Sequence, residues 1–111
     1  MVKVSYPLLL TVSPSTSGSI SVTTVPSGRK LKLTRVQVHF PSGTEGKLLV
    51  RVMKGIFSAV PRTGYIAGDD TTVTVESDVV YESGSEVKVE YSNQDDTYSK
   101  SCFILIEGEL E

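Results

Sequence analysis

Gly84-Ser85-Glu86-Val87-Lys88-Val89-Glu90-Tyr91-Ser92-Asn93 alternates without a fault. In an extended chain Val87, Val89 and Tyr91 leave one face, Lys88 and Glu90 the other. Period two over this length marks a half-buried strand, because successive strand side chains point to opposite sides. A helix would scatter the three apolar residues around its circumference. The stretch therefore predicts a strand over 85–91, opened by Gly84 and closed by a Ser92–Thr97 turn or loop, Ser-Asn-Gln-Asp-Asp-Thr.

The same pattern recurs in both directions from it. Downstream, an eighth and last strand is expected over 98–107. Its apolar residues occupy both faces (Phe103 and Leu105; Cys102, Ile104 and Ile106), which predicts a central strand or one covered by a neighbour. Upstream, the first strand is expected over 3–12, the second over 18–25 and the third over 29–40. In the third, Leu31 and Leu33 are odd but Val36, Val38 and Phe40 are even. That change of parity at Thr34-Arg35 predicts a β-bulge or a bend between sheets. The fourth strand is expected over 46–54 and a short fifth over 56–60, stopped by Pro61. A loop, Arg62–Asp70, leads to the sixth strand over 71–82, broken at Ser77-Asp78.

No segment has a helical period, and Gly, Pro, Ser and Asp turns separate the runs. Eight short strands at this spacing predict an all-β, antiparallel sandwich of jelly-roll or Greek-key topology. An immunoglobulin-like sandwich is the runner-up, without the Trp and paired cysteines of antibody domains. Residues 1–111 are one domain's worth of chain, with no repeat or linker to divide them. A chain of this length can bury a core without metal or disulfide. The run Leu8-Leu9-Leu10 is too short for a signal peptide, and no stretch is long and apolar enough for a membrane helix. The single cysteine excludes an intrachain disulfide and mildly favours assembly inside a cell.

Charge is divided along the chain. Residues 1–62 carry nine basic residues and one acid, Glu45; residues 63–111 carry two bases and twelve acids. In a jelly roll one sheet runs one–eight–three–six and the other two–seven–four–five. Basic strand three then lies beside acidic strand six. Basic strand four (Lys47, Arg51, Lys54) lies beside acidic strand seven (Glu86, Glu90). The division thus predicts ion pairs across strands, with any unpaired charge left for contacts between subunits.

Residues for catalysis are sparse. His39 is the only histidine and is expected to face away from the apolar side of its strand, half exposed. Cys102 reads as a small apolar strand residue, far from it in sequence. Neither a nucleophilic triad nor a zinc site is expected from them. Asp69-Asp70 and Asp95-Asp96 fall in turns, where Asp bonds to local backbone. Their loops could share a rim that takes calcium, although the spacing matches no dedicated calcium loop. Gly64-Tyr65-Ile66-Ala67-Gly68 lacks the strand–helix context of a phosphate loop. Arg29, Lys30, Lys32 and Arg35 alternate between faces, so they form no nucleic-acid stripe. Tyr65 is the best-placed exposed aromatic for a sugar. No catalytic, cofactor-binding or metal residue is expected.

Two stretches carry a resemblance. Val25-Pro26-Ser27-Gly28-Arg29-Lys30-Leu31-Lys32-Leu33-Thr34-Arg35-Val36 is a Pro-Ser-Gly turn followed by a long alternating strand. Gly84–Asn93 is an acidic strand ending in an Asn turn. Together they resemble small jelly-roll accessory proteins of viral particles, including capsid decoration proteins of tailed phages, over roughly residues 20–108. The resemblance implies a non-catalytic virion protein, assembled in the host cytoplasm. It implies homo-oligomers, often trimers, that clamp neighbouring capsid subunits. From the residues themselves no cofactor is expected, and neither nucleic acid nor membrane as a partner. The resemblance also makes Val12–Gly18 and the first strand natural contact arms, although an ordinary edge strand and loop is the simpler expectation. The alternative function is a carbohydrate- or cell-surface-binding module, possibly assisted by calcium.

Overall fold

The alternation of Val87, Val89 and Tyr91 becomes the inner face of a strand in a computed structural model that describes residues 2–111. In chain order the strands are β1 (Val2–Val12), β2 (Ser17–Thr24), β3 (Leu31–Phe40), β4 (Leu48–Lys54), β5 (Phe57–Val60), β6 (Thr71–Glu76), β7 (Val80–Tyr81), β8 (Glu86–Asn93) and β9 (Lys100–Leu110). They form two antiparallel sheets, ordered β1-β9-β3-β6 and β2-β8-β4-β5, with β7 also pairing with β3. This is the jelly-roll order expected from the sequence. The sixth expected strand is present as two pieces, β6 and β7, both on β3.

One event explains the interruption and the parity switch together. In β3 the register against β9 slips between Leu33 and Arg35. The extra residue, Thr34, accepts a backbone bond from Ser77, and Leu33 N–H reaches the Val79 carbonyl. The break between β6 and β7 therefore lies opposite the bulge. Leu31 and Leu33 before it, and Val36, Val38 and Phe40 after it, all end up buried. The bulge keeps one apolar face inward over the whole strand.

The core lies between the sheets. Leu31, Leu33, Val36, Val38 and Phe40 of β3 meet Leu48, Val50 and Val52 of β4, Val87 and Val89 of β8, and Ile104 and Ile106 of β9. Tyr81 is fully buried, and its hydroxyl donates to the Met53 carbonyl at 2.8 Å, which links the two sheets. Burial raises its phenol pKa strongly, so the hydroxyl stays protonated and a donor.

Some boundaries differ from expectation. β8 runs on to Asn93, so Ser92 and Asn93 belong to a strand rather than a turn. β9 starts at Lys100 and extends to Leu110. Segment 13–16 is no free arm. Ser15 N–H bonds to the Asp95 carbonyl, Asn93 N–H bonds to the Thr16 carbonyl, and β1 is paired with β9 along its whole length.

Candidate interaction surfaces

Three surfaces carry the side chains with chemical potential. The first is the loop end of the sandwich, where three buried polar residues meet. Asn93 donates from Nδ2 to the carbonyls of Val12, Ser13 and Tyr98, while its Oδ1 accepts from Asp95 N–H. Asp95 Oδ1 accepts from the N–H groups of Thr97 and Tyr98. Its Oδ2 lies 3.3 Å from Lys100 Nζ and 3.7 Å from Lys47 Nζ. Lys100 donates to the Gly43 carbonyl at 2.6 Å, and Gly43 N–H donates to Asp69 Oδ1.

The Asp69 and Asp95 loops thus share a rim through Gly43, as the sequence suggested. The cation between them is the Lys100 ammonium, which also sits 3.8 Å from Glu45 Oε1. Asp96 Oδ1 accepts from the neighbouring Thr97 hydroxyl. Among the described residues no group of three or more His, Cys, Asp or Glu is arranged around a metal position. This corner staples loops together, and its oxygens converge on a lysine.

The Thr97 and Tyr98 amides, then the two lysines, hold the Asp95 carboxyl at a pKa of about 2, below the ordinary 3.8. A depressed carboxylate contributes stability that is full above its unfolded pKa and lost as pH falls through the folded one. Asp95→Asn keeps an oxygen for the amides but removes the charge facing Lys100. The variant should be less stable at neutral pH. Its urea midpoint should also fall less steeply than wild type between about pH 4 and pH 2. An unchanged acid slope would remove Asp95 as the cause.

The second surface is the outer face of the β2-β8-β4-β5 sheet. Arg51 of β4 faces Glu90 of β8 in register and donates Nε and Nη2 to Oε1, at 3.0 and 2.7 Å. The Tyr65 ring, from the 61–70 loop, lies 4.4 Å from the Arg51 guanidinium, and its hydroxyl donates to the same Oε1 at 2.9 Å. The Tyr65 hydroxyl, then Arg51, lowers the Glu90 pKa. The bond to Glu90 raises that of Tyr65. A groove runs from Tyr65 across Glu90 and Ser92 to Ser17 and Ser19 on the edge strand β2.

The expected ion pair across β4 and β8 is therefore present. Reversing Arg51 or Glu90 alone should cost about 1 kcal/mol, and the double reversal should recover part of it in urea melts. Additive losses would mean the pair contributes nothing. Other pairings differ from expectation. Arg35 is in register with both Glu76 of β6 and Glu107 of β9, and it takes Glu107, at 2.9 Å to both carboxylate oxygens. Glu86 pairs with Lys88 on its own strand, and Lys54 donates to the Val80 carbonyl.

The third surface is the outer face of the β1-β9-β3-β6 sheet. Leu9 is directly opposite Phe103, and Phe103 is opposite His39. Leu9 is 73% exposed and Phe103 43%. Pro7 and Leu105 form the next row. The two-faced apolar pattern of β9 thus has two causes: one face fills the core and the other surfaces here. His39 is exposed on this face, with Nδ1 3.0 Å from the Thr72 hydroxyl. Cys102 points into the core, and burial pushes its thiol up to about 12, which favours the protonated form over the nucleophilic thiolate. A separate apolar tip, Ile56-Phe57, turns between β4 and β5, with Ile56 86% and Phe57 72% exposed. Neither this tip nor the Leu9–Phe103 pair stands out in the sequence. Both lie in ordinary strand-like apolar runs.

Compared by sequence, the chain matches no family profile and no curated protein. Compared by structure, it resembles viral capsid jelly rolls. A chain of Sulfolobus Turreted Icosahedral Virus aligns with a TM-score of 0.61 and 13% identity, over 98% of this chain but only 29% of that one. A chain of the Helicobacter pylori bacteriophage KHP30 capsid aligns at 0.54 and 17%, over 99% of this chain and 95% of that one. One from the cyanophage Pam1 capsid asymmetric unit aligns at 0.55 and 12%, over 96% and 82%. At these identities the likeness is one of fold.

Proposed function

We propose that residues 1–111 form a single domain that acts as a non-catalytic structural protein of a virion. It self-associates and binds neighbouring shell subunits as a capsid decoration or accessory protein. The observation that carries this reading is the exposed Leu9–Phe103 face, an apolar row on the outer side of the β1-β9-β3-β6 sheet. The likeness to capsid jelly rolls supports it at the level of fold.

A trimer is favoured over a dimer. A two-fold dimer uses one self-complementary patch, whereas a closed ring joins two different surfaces head to tail. This chain offers two different apolar surfaces. Leu9 and Phe103 lie in one sheet, beside the His39 end of β3. Ile56 and Phe57 follow Lys54 of the other sheet, which reaches Val80 beside the Lys32 end of β3.

Solution mass by light scattering tests the reading. The wild type should form a trimer or larger ring, and the Leu9→Ser/Phe103→Ser double variant should be a folded monomer. A wild type that stays monomeric at high concentration sinks self-association. A gene beside that of a major capsid protein would support the virion assignment independently.

A further inference from the structure

We propose that the groove between Tyr65 and the serines of β2 is a binding subsite for a neutral saccharide. The site stands apart from the assembly surfaces, and its failure would leave the structural role intact.

The groove has the parts that sugar recognition needs, and they are held in place before any ligand arrives. Its aromatic wall is Tyr65, 40% exposed although it sits in a loop. The ring is fixed twice, by the Arg51 guanidinium 4.4 Å from its centre and by its hydroxyl bond to Glu90. A rigid aromatic surface offers an apolar contact to the C–H face of a pyranose at little entropic cost.

The floor supplies both acceptors and donors. All three bonds to Glu90, two from Arg51 and one from Tyr65, go to Oε1. Oε2 takes no part in them and remains an acceptor for a hydroxyl pair. Ser17 donates to the Ser92 hydroxyl at 2.8 Å, and Gln94 donates to the same oxygen at 2.6 Å. Ser19 lies opposite Glu90 in the β2–β8 register and lines the far side of the groove. Hydroxyls that donate and accept suit a polyol, whose groups do both.

Charge decides the ligand class. Arg51 neutralises Glu90 within the site, and Lys88 beyond it is paired with Glu86. An anionic sugar would meet the Glu90 carboxylate, and a cation would compete with Arg51. A neutral sugar incurs neither cost. The expected affinity is weak, as befits a shallow and open groove.

Amide-resolved NMR titrations of the intact chain with glucose, galactose and N-acetylglucosamine test the assignment. At least one sugar should shift the resonances of Ser17, Ser19, Tyr65, Glu90 and Ser92, with saturation in the millimolar range. Tyr65→Ala should weaken binding about tenfold, and Ser19→Ala about threefold. Tyr65→Phe retains the ring and should stay within about threefold of wild type. Unshifted spectra away from the groove show that each variant is folded. The proposal is overturned if none of the three sugars shifts these residues. It is equally overturned if binding survives Tyr65→Ala, if Phe is as damaging as Ala, or if sialic acid binds where neutral sugars do not.

Discussion

Asn93→Ala should destabilise the protein by about 3–5 kcal/mol. That is a large share of the roughly 5–15 kcal/mol that holds a domain of ordinary stability together. The residue is 2% exposed; its amide shares two hydrogens among three backbone carbonyls, and its Oδ1 accepts from the Asp95 amide. Truncation removes the Asn93 bonds from those carbonyls and from the Asp95 amide and leaves a cavity beside them, and buried polar groups that lose a partner carry a desolvation cost. The bonds also tie the end of β8 to two other stretches: Val12-Ser13, where β1 runs into its loop, and the loop between β8 and β9. Their loss should release segment 13–16 and residues 94–99 together. Chemical denaturation gives the magnitude, and amide exchange gives the location. Asn93→Asp is the informative partner. It matches in size but replaces the donor with a carboxylate facing three carbonyls, so it should be no milder than alanine. A loss below about 1 kcal/mol for Asn93→Ala would mean that water replaces the side chain at little cost.

Much of this fold is legible in the sequence because burial on one face writes a period of two. Val87, Val89 and Tyr91 declare β8, and the parity change between Leu33 and Val36 declares a bulge that the register confirms. Once the strands are placed in jelly-roll order, the Arg51–Glu90 pair follows from position alone. What stays hidden depends on three-dimensional convergence. Asn93 sits among Ser, Gln and Asp, a composition that signals a turn, and only the meeting of three segments gives it carbonyls to satisfy. Arg35 stands between Glu76 and Glu107 in adjacent strands, and the strand order leaves both within its choice. Tyr65 is recognisable as a loop aromatic, but its stacking on Arg51 depends on how the 61–70 loop returns. There Ile66 bonds back to Val50, and Tyr65 is laid over the sheet.

The charge division along the chain acquires a similar double meaning. Arg51–Glu90 and Arg35–Glu107 join its basic part to its acidic part across strands, and Lys47–Asp95 and Lys30–Glu82 do so between the loops that flank them. Such pairs contribute little each, yet a slipped strand would place like charges opposite and lose them all. Charge therefore specifies register, while the apolar surfaces at Leu9–Phe103 and Ile56-Phe57 are left for association.

Gly108→Ala should cost about 2–3 kcal/mol, although alanine suits a strand no worse than glycine. Gly108 lies in β9 opposite Leu33, on the rim of the β3 bulge. A Cβ placed there would stand 2.7 Å from the Lys32 carbonyl oxygen and 3.1 Å from a Leu31 methyl. The first of these is backbone and cannot rotate aside. Either β3 moves away from β9 or the bulge opens, and both disturb the sheet's central pairing. Gly18 provides the contrast. A Cβ there would meet the Tyr91 hydroxyl at 2.8 Å, the far end of a side chain that can turn. Gly18→Ala should therefore cost clearly less than Gly108→Ala. The two substitutions are chemically identical, both fall in strands, and neither glycine has a positive φ. A difference between them in urea melts isolates the rigidity of the neighbour. Equal losses would show that the bulge yields as readily as a side chain, and the steric account of Gly108 would then fail.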